Sequence, residues 1–237
     1  MLTIDYTLLR ITDGERVLDV GCGEGRHSWE AVKRARCLVF GLDIETGGFE
    51  KASWMFHAID HQGEARGRLF LIRGDTIKLP FKDAAFDKII CSEVLEHILD
   101  DRAGMRELVR VLKNEGTIAI SVPAYLTEAI CWKLSRDYHD RPGGHVRIYK
   151  KRELIAPILE NNLHIYAIRR KHALHSIYWI IRCLFGVNRD NALIPTLYHK
   201  FLVWDIEKKS KSFHLLDNLL NRFFPKSVVI YACKRGT

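Results

Sequence analysis

The chain lacks the uninterrupted apolar run of about 18 residues that a membrane-crossing helix requires. Its best candidate, Ile177 to Phe185, is broken by Arg182. The N-terminus has no basic-then-apolar leader pattern, so a soluble, cytoplasmic protein is expected. The six cysteines, at 22, 37, 91, 131, 183 and 233, include no C-x-x-C pair. Neither a zinc ribbon nor a disulfide framework is therefore indicated, and buried thiols are the reading. Internal repeats and low-complexity tracts are also lacking, which argues against a solenoid or a disordered linker.

What is present is 237 residues with 47% apolar content, enough for one large core or one core with a small cap. The net charge of +8 is unevenly placed. Residues 1–123 hold 17 Lys/Arg against 20 Asp/Glu, whereas residues 124–237 hold 20 against 9. A basic second half suits an anionic partner or an anionic membrane surface, and also an ordinary solvated face.

Short apolar strands alternate with helical patterns at Val17–Val20, Leu38–Leu42, Leu69–Ile72, Lys88–Cys91 and Thr117–Val122. Helices are expected at Arg26–Arg36, Gly47–His61 and Arg102–Leu112, the last closed by a turn over residues 113–116. This alternation predicts an α/β fold with a doubly wound, mostly parallel sheet, whose ligands bind beyond the carboxyl ends of the strands. After a helix at Lys151–Glu160, a sixth strand fits Ile165–Arg170, and its best partner is Val228–Cys233. Residues 172–226, rich in aromatic and basic side chains, lie between them.

The run VLDVGCGEG, from Val17 to Gly25, is the most informative segment. An apolar strand carries Asp19 and then breaks into Gly21, Gly23 and Gly25 before a helix, so the backbone can approach a ligand closely. Asp19 and Glu24 make the loop acidic, which suits a ligand with an amino group better than a pyrophosphate, and the G-x-G-x-x-G spacing of dinucleotide enzymes is missing. Asp43, at the end of the next apolar run, can accept hydrogen bonds from two ribose hydroxyls.

With GLDI at Gly41–Ile44, GDTIKLPF at Gly74–Phe81, FDKIICSEVLEHI at Phe86–Ile98 and VRVLKNEGTIAISVP at Val109–Pro123, the first half resembles the class I S-adenosylmethionine-dependent methyltransferases, of the small-molecule or lipid type similar to ubiquinone-biosynthesis enzymes. The resemblance implies a Rossmann-like seven-stranded sheet, with residues 1–171 and 227–237 binding the cofactor. Residues 172–226 would be a helical cap inserted between the last two strands, since the family usually joins them by a short hairpin. It also implies cofactor contacts from Asp19 and the loop residues Gly21, Cys22, Gly23 and Gly25. Asp43 would take the ribose with Ile44 on the adenine, Asp75 and Thr76 would meet the adenine amino group, and Ser92 and Glu93 would lie near the methionine portion. Family members often carry a long N-terminal helix over the site, whereas Met1–Gly14 can supply one or two turns.

Methyl transfer is an in-line displacement in which the protein aligns the groups and excludes water, and a weak nucleophile also needs a base. His145 in GGHVRIY and His97, four residues after Glu93 on an expected helix, are the catalytic candidates; no metal site is expected. His172/His175 and His57/His61 are read as packing pairs, because two histidines without a third ligand seldom hold a metal. The expected acceptor is a small or lipid-like molecule, methylated on oxygen before carbon, with peripheral contact to an anionic membrane through SIYWIIRCLF, Ser176–Phe185. The alternatives are an RNA methyltransferase, supported by charge alone since no N/D-P-P-Y/F tetrapeptide occurs, and a noncatalytic cofactor-binding protein.

Overall fold

The computed structural model describes residues 2–235 apart from 141–142, 190 and 209–210. Seven strands form one sheet: β1 (Arg16–Val20), β2 (Leu38–Asp43), β3 (Arg68–Arg73), β4 (Phe86–Ser92), β5 (Leu112–Pro123), β6 (Leu163–Lys171) and β7 (Ser227–Lys234). Their order is β3-β2-β1-β4-β5-β7-β6, with β7 antiparallel to both neighbours and the remaining pairs parallel. The order reverses between β1 and β4, and at such a switch point diverging loops leave a crevice above the strand ends.

Because side chains alternate along a strand, the sheet buries two faces. Leu18, Val20, Ile89, Cys91, Ile118 and Ile120 pack beneath Met105 and Leu108 of α4 (Asp101–Val111) and Leu154 and Ile158 of α7 (Lys151–Glu160). On the other face Val17, Val39, Ile90 and Ala119 meet Ala31 and Val32 of α2 (Arg26–Arg34) and Tyr6 and Leu9 of α1 (Tyr6–Leu9). Helix α3 (Phe49–His61) follows β2, and the Asp100 carboxylate caps α4 by accepting the Ala103 N–H at 2.9 Å.

Two local expectations are corrected. Residues 113–116 fall inside β5, which begins at Leu112, but are looped out of its pairing, since Phe86 faces Leu112 and Lys88 faces Thr117, with Glu115 left-handed at φ 62°. Glu93 and His97 do not share an α-helical face, because Glu93 is left-handed (φ 58°) and residues Leu95–His97 make only a 3₁₀ turn.

Beyond β5 the chain forms α5 (Tyr125–Leu134) and the one-turn α6 (Arg136–His139). Between β6 and β7 the described residues form α8 (Ala173–Phe185), α9 (Leu193–Lys208) and α10 (Lys211–Leu220). Helix α8 packs on α5 through Cys131, Cys183 and Val187, with Tyr138 and Trp179 beside them. Asp217 of α10 and Asn221 just after it accept the Leu174 and Ala173 N–H groups, each at 2.9 Å, which ties the end of α10 to the first turn of α8. Leu193, Leu197, Trp204, Leu215 and Phe223 nevertheless remain exposed on this helical layer. No helix among the described residues is long and apolar enough to cross a membrane.

Candidate active site

At the tip of β1 the three glycines all adopt left-handed backbone, with φ 64° at Gly21, 50° at Gly23 and 85° at Gly25. A Cβ on Gly21 would overlap a Val94 methyl, so the loop runs hard against the chain leaving β4. A Cβ on Gly23 would meet nothing within 4 Å, so that side of the loop is open. The loop's N–H groups are largely committed. Gly21 and Cys22 donate to the Leu42 carbonyl (2.7 and 3.1 Å), Gly25 donates to the Cys22 carbonyl (2.8 Å), and Gly23 donates to the Asp43 carboxylate (2.8 Å). What the loop presents is therefore acceptor capacity, which fits a ligand carrying amino and hydroxyl donors and not a pyrophosphate.

Asp19 lies beneath the loop, 2% exposed, and accepts the Ser28 hydroxyl at 2.6 Å. Burial pushes its carboxyl up to about 7 despite that bond. Asp43, at the end of β2, accepts the N–H groups of Gly23 and Glu45 and keeps lone pairs on both oxygens. Ile44 beside it is 58% exposed, an apolar surface available to a flat ring. Asp75 accepts the Ile77 N–H at 3.0 Å, and Thr76 is buried. Cys22 turns inward, close enough to Gly41 that a Cβ there would lie 3.0 Å from its Sγ, so its side chain belongs to the packing and only its backbone lines the loop.

At the tip of β4, Ser92 Oγ and Ser121 Oγ are 2.9 Å apart, and Ser121 donates onward to Glu93 at 3.1 Å. Burial raises the Glu93 carboxyl above its ordinary range. Glu96 is fully buried and neither of its carboxylate oxygens has a partner. Desolvation, with Glu93 nearby, drives its pKa well up, which favours the neutral acid.

Next to these acids lies a cavity of about 350 Å³, lined by His97, Tyr138, Gly143, Gly144, His145, Trp179 and Lys226. His145 Nδ1 is 2.6 Å from Oε1 of Glu128, a carboxylate only 1% exposed on α5. Lys226 and the Tyr138 hydroxyl approach its other oxygen, both at 3.3 Å. Burial opposes ionisation of Glu128, but the His145 bond and the Lys226 charge outweigh it and hold the carboxyl at about 2. Lys226, itself desolvated, is kept charged by Glu128 and Glu93.

An ionised Glu128 accepts only, so His145 carries a proton on Nδ1 in this bond, and in the neutral imidazole Nε2 is then the acceptor. His97 lies alongside, its ring centroid 5.0 Å from that of His145 and its Nδ1 3.2 Å from the Gly144 carbonyl; burial lowers its pKa. Donor atoms of Glu96, His97 and His145 all fall within 4.8 Å of one another, a grouping that the sequence reading did not expect. Glu128, Lys226, Tyr138 and Trp179 were also missed. The available signal was Glu128 itself, a lone acid in the otherwise apolar YLTEAICW.

A sequence model of the methyltransferase domain matches residues 18–120. The chain carries a class I S-adenosylmethionine-dependent methyltransferase domain. Curated relatives of this domain include the 27-O-demethylrifamycin SV methyltransferase of Amycolatopsis mediterranei, 29% identical over 128 residues, 50% of this chain and 46% of that protein. A sterol 24-C-methyltransferase of Aspergillus fumigatus is 32% identical over 110 residues, 46% of this chain and 28% of that protein. The chain thus spans half or less of the length of these relatives. The crystal structure of the YcgJ protein from Bacillus subtilis superposes with a TM-score of 0.63 over 98% of this chain and 97% of that one, at 21% identity, which shows a shared fold. The methyltransferase domain ends near β5, so the α8–α10 layer and Lys226 lie outside the matched segment.

Proposed function

We propose that the protein transfers the methyl group of S-adenosylmethionine to a small or lipid-like acceptor, on oxygen in preference to carbon. The observation that carries this is the His145–Glu128 pair on the wall of a cavity whose His145 and Lys226 also act electrostatically on Glu93, which follows β4. The cofactor, when bound, supplies an electrophilic sulfonium methyl. Asp43 would hold its ribose, Ile44 its ring, Asp75 and Thr76 the exocyclic amine, and the Gly21–Gly25 loop above Asp19, with Ser92 and Glu93, its amino-acid end. These residues fit because they offer acceptors to a ligand rich in donors.

The rest of the chemistry falls to the chain. Glu128 fixes the His145 tautomer, and His145 Nε2 takes the hydroxyl proton of the acceptor as its oxygen attacks, a role worth roughly 10²–10⁴ in rate for a positioned base. Trp179 and Tyr138 wall the cavity and exclude water, and helices α8–α10, over residues 172–226, act as the cap. Lys226 balances the charge of Glu128 from the cap's far end. The exposed apolar side chains of the cap, interleaved with bases, support peripheral contact with an anionic membrane.

Incubation of the protein with labelled cofactor and a native lipid extract tests the reading. A labelled, base-stable ether product that His145→Gln abolishes supports it, and a product only from RNA overturns the lipid assignment. Vesicle pelleting and RNA gel shift at two salt concentrations separate the same alternatives by binding.

A further inference from the structure

A second cavity, which shares no lining residue with the first, lies at the β5-β7-β6 end of the sheet and has a volume of about 670 Å³. Its floor is apolar, built from Val122 of β5, Leu154 of α7, Ile168 of β6 and Ile230 of β7. Its polar wall is cationic: Lys151 opens α7, Arg169 and Arg170 lie near the end of β6, and Arg222 follows α10, with the Asn218 and Asn221 amides beside them. No Asp or Glu among the described residues lines it.

Arg170 and Arg222 are held together, because the Arg170 guanidinium donates to the Arg222 carbonyl at 3.1 Å. Lys150 adds a fifth charge nearby, its ammonium 5.9 Å above the ring of Tyr125, which also lines the cavity. Neighbouring acids are committed elsewhere: Glu153 accepts the Lys150 N–H, and Asp217 accepts the Leu174 N–H and the Asn221 side-chain amide. Several other bases of this protein are paired, as Arg110 is with Glu107 and Asp83, and Lys113 with Asp87. Here Lys151, Arg170 and Arg222 are solvent-exposed at the rim of one apolar space with no acid in its described lining, an arrangement complementary to an anionic ligand.

We propose that this cavity binds an anionic amphiphile, with a carboxylate or phosphate head against Lys151, Arg170 and Arg222 and an apolar chain along the floor. The site shares no lining residue with the transfer cavity, and its argument does not depend on the methyltransferase reading. The volume is within the range usual for small-molecule sites. Exposed Phe223 and Phe224 follow Arg222 directly, so the cationic wall adjoins apolar surface on the outside as well.

Titration of the intact protein with dodecyl phosphate, below its micelle concentration, tests this, with dodecanol and inorganic phosphate as controls. The expected result is saturable binding of dodecyl phosphate at least about ten-fold tighter than either control, since head and chain each contribute. Arg170→Gln combined with Arg222→Gln should weaken it about ten-fold or more while leaving S-adenosylhomocysteine binding intact. That intact binding also reports that the variant is folded. Vesicles of phosphatidylcholine with and without phosphatidylglycerol then identify the source. Pelleting that needs phosphatidylglycerol and fails in the double variant assigns a bilayer lipid to the site, and unchanged pelleting assigns a soluble amphiphile. Equal affinity for dodecanol, or full affinity in the double variant, overturns the proposal.

Discussion

Replacing Glu128 with glutamine perturbs the best-defined electrostatic feature of the site. The carboxylate sits at 1% exposure between His145, Tyr138 and Lys226, and its pKa falls from 4.5 to about 2. A depression of that size corresponds to about 3 kcal/mol of stability. Because the folded-state pKa is the lower one, this contribution is fully present above pH 4.5 and is lost as the pH falls toward 2. Glu128→Gln should therefore destabilise the protein by about 3 kcal/mol at pH 7, with Lys226 left buried beside a neutral amide. The deficit should shrink as the pH drops below 4.5. Urea unfolding of both proteins at pH 7 and pH 3.5 measures this. The same variant should lose about 10²-fold in kcat with unchanged cofactor affinity, because His145 is no longer held in one tautomer. Equal stability of the two proteins at pH 7, or a deficit that does not vary with pH, would refute the reasoning.

Other perturbations probe the remaining parts. Asp43→Ala removes the acceptor that anchors Gly23 and would hold the ribose, and should weaken S-adenosylhomocysteine binding by about 10–10²-fold in calorimetry. Asp19 is the opposite electrostatic case: its folded-state value of about 7 exceeds the ordinary 3.8, so the stability linked to its neutral form is complete below pH 3.8 and is lost as the pH rises through 7. Urea unfolding across this range should show a fall of up to about 4 kcal/mol in the parent that Asp19→Asn abolishes; an identical slope in both would show that Asp19 is not the group responsible. Treatment with a chelator should leave the methylation rate unchanged if His145 acts as a free base, whereas a loss reversed by a divalent cation would reassign Glu96, His97 and His145 to a metal.

The parallel half of the sheet was legible because each β-strand is a short apolar run bounded by a turn signal, and β1 to β5 were found within a few residues of their observed limits. The pairing of β6 with β7 across more than fifty residues was legible for a related reason: no other segment offered a matching apolar strand. The glycine loop announced itself because left-handed backbone at Gly21, Gly23 and Gly25 needs that residue type. Glu93 shows where such reasoning fails, since its left-handed conformation is imposed by the sharp exit from β4 and has no glycine to mark it. Glu128, His145 and Lys226 were dispersed over nearly a hundred positions, and only the packing of α5 against the end of the cap brings them together. The partners of the loop N–H groups were not legible, because the Leu42 carbonyl and the Asp43 carboxylate that take most of them come from the neighbouring strand β2.

Calorimetric titration of the purified protein with S-adenosylhomocysteine tests the central claim most directly, because the whole methyl-transfer assignment rests on the loop at Gly21–Gly25 being a cofactor site. Saturable one-to-one binding in the micromolar range, weakened by Asp43→Ala, is the result predicted. No heat of binding at millimolar ligand from folded protein would contradict it and would leave the Rossmann-like sheet without the chemistry assigned to it.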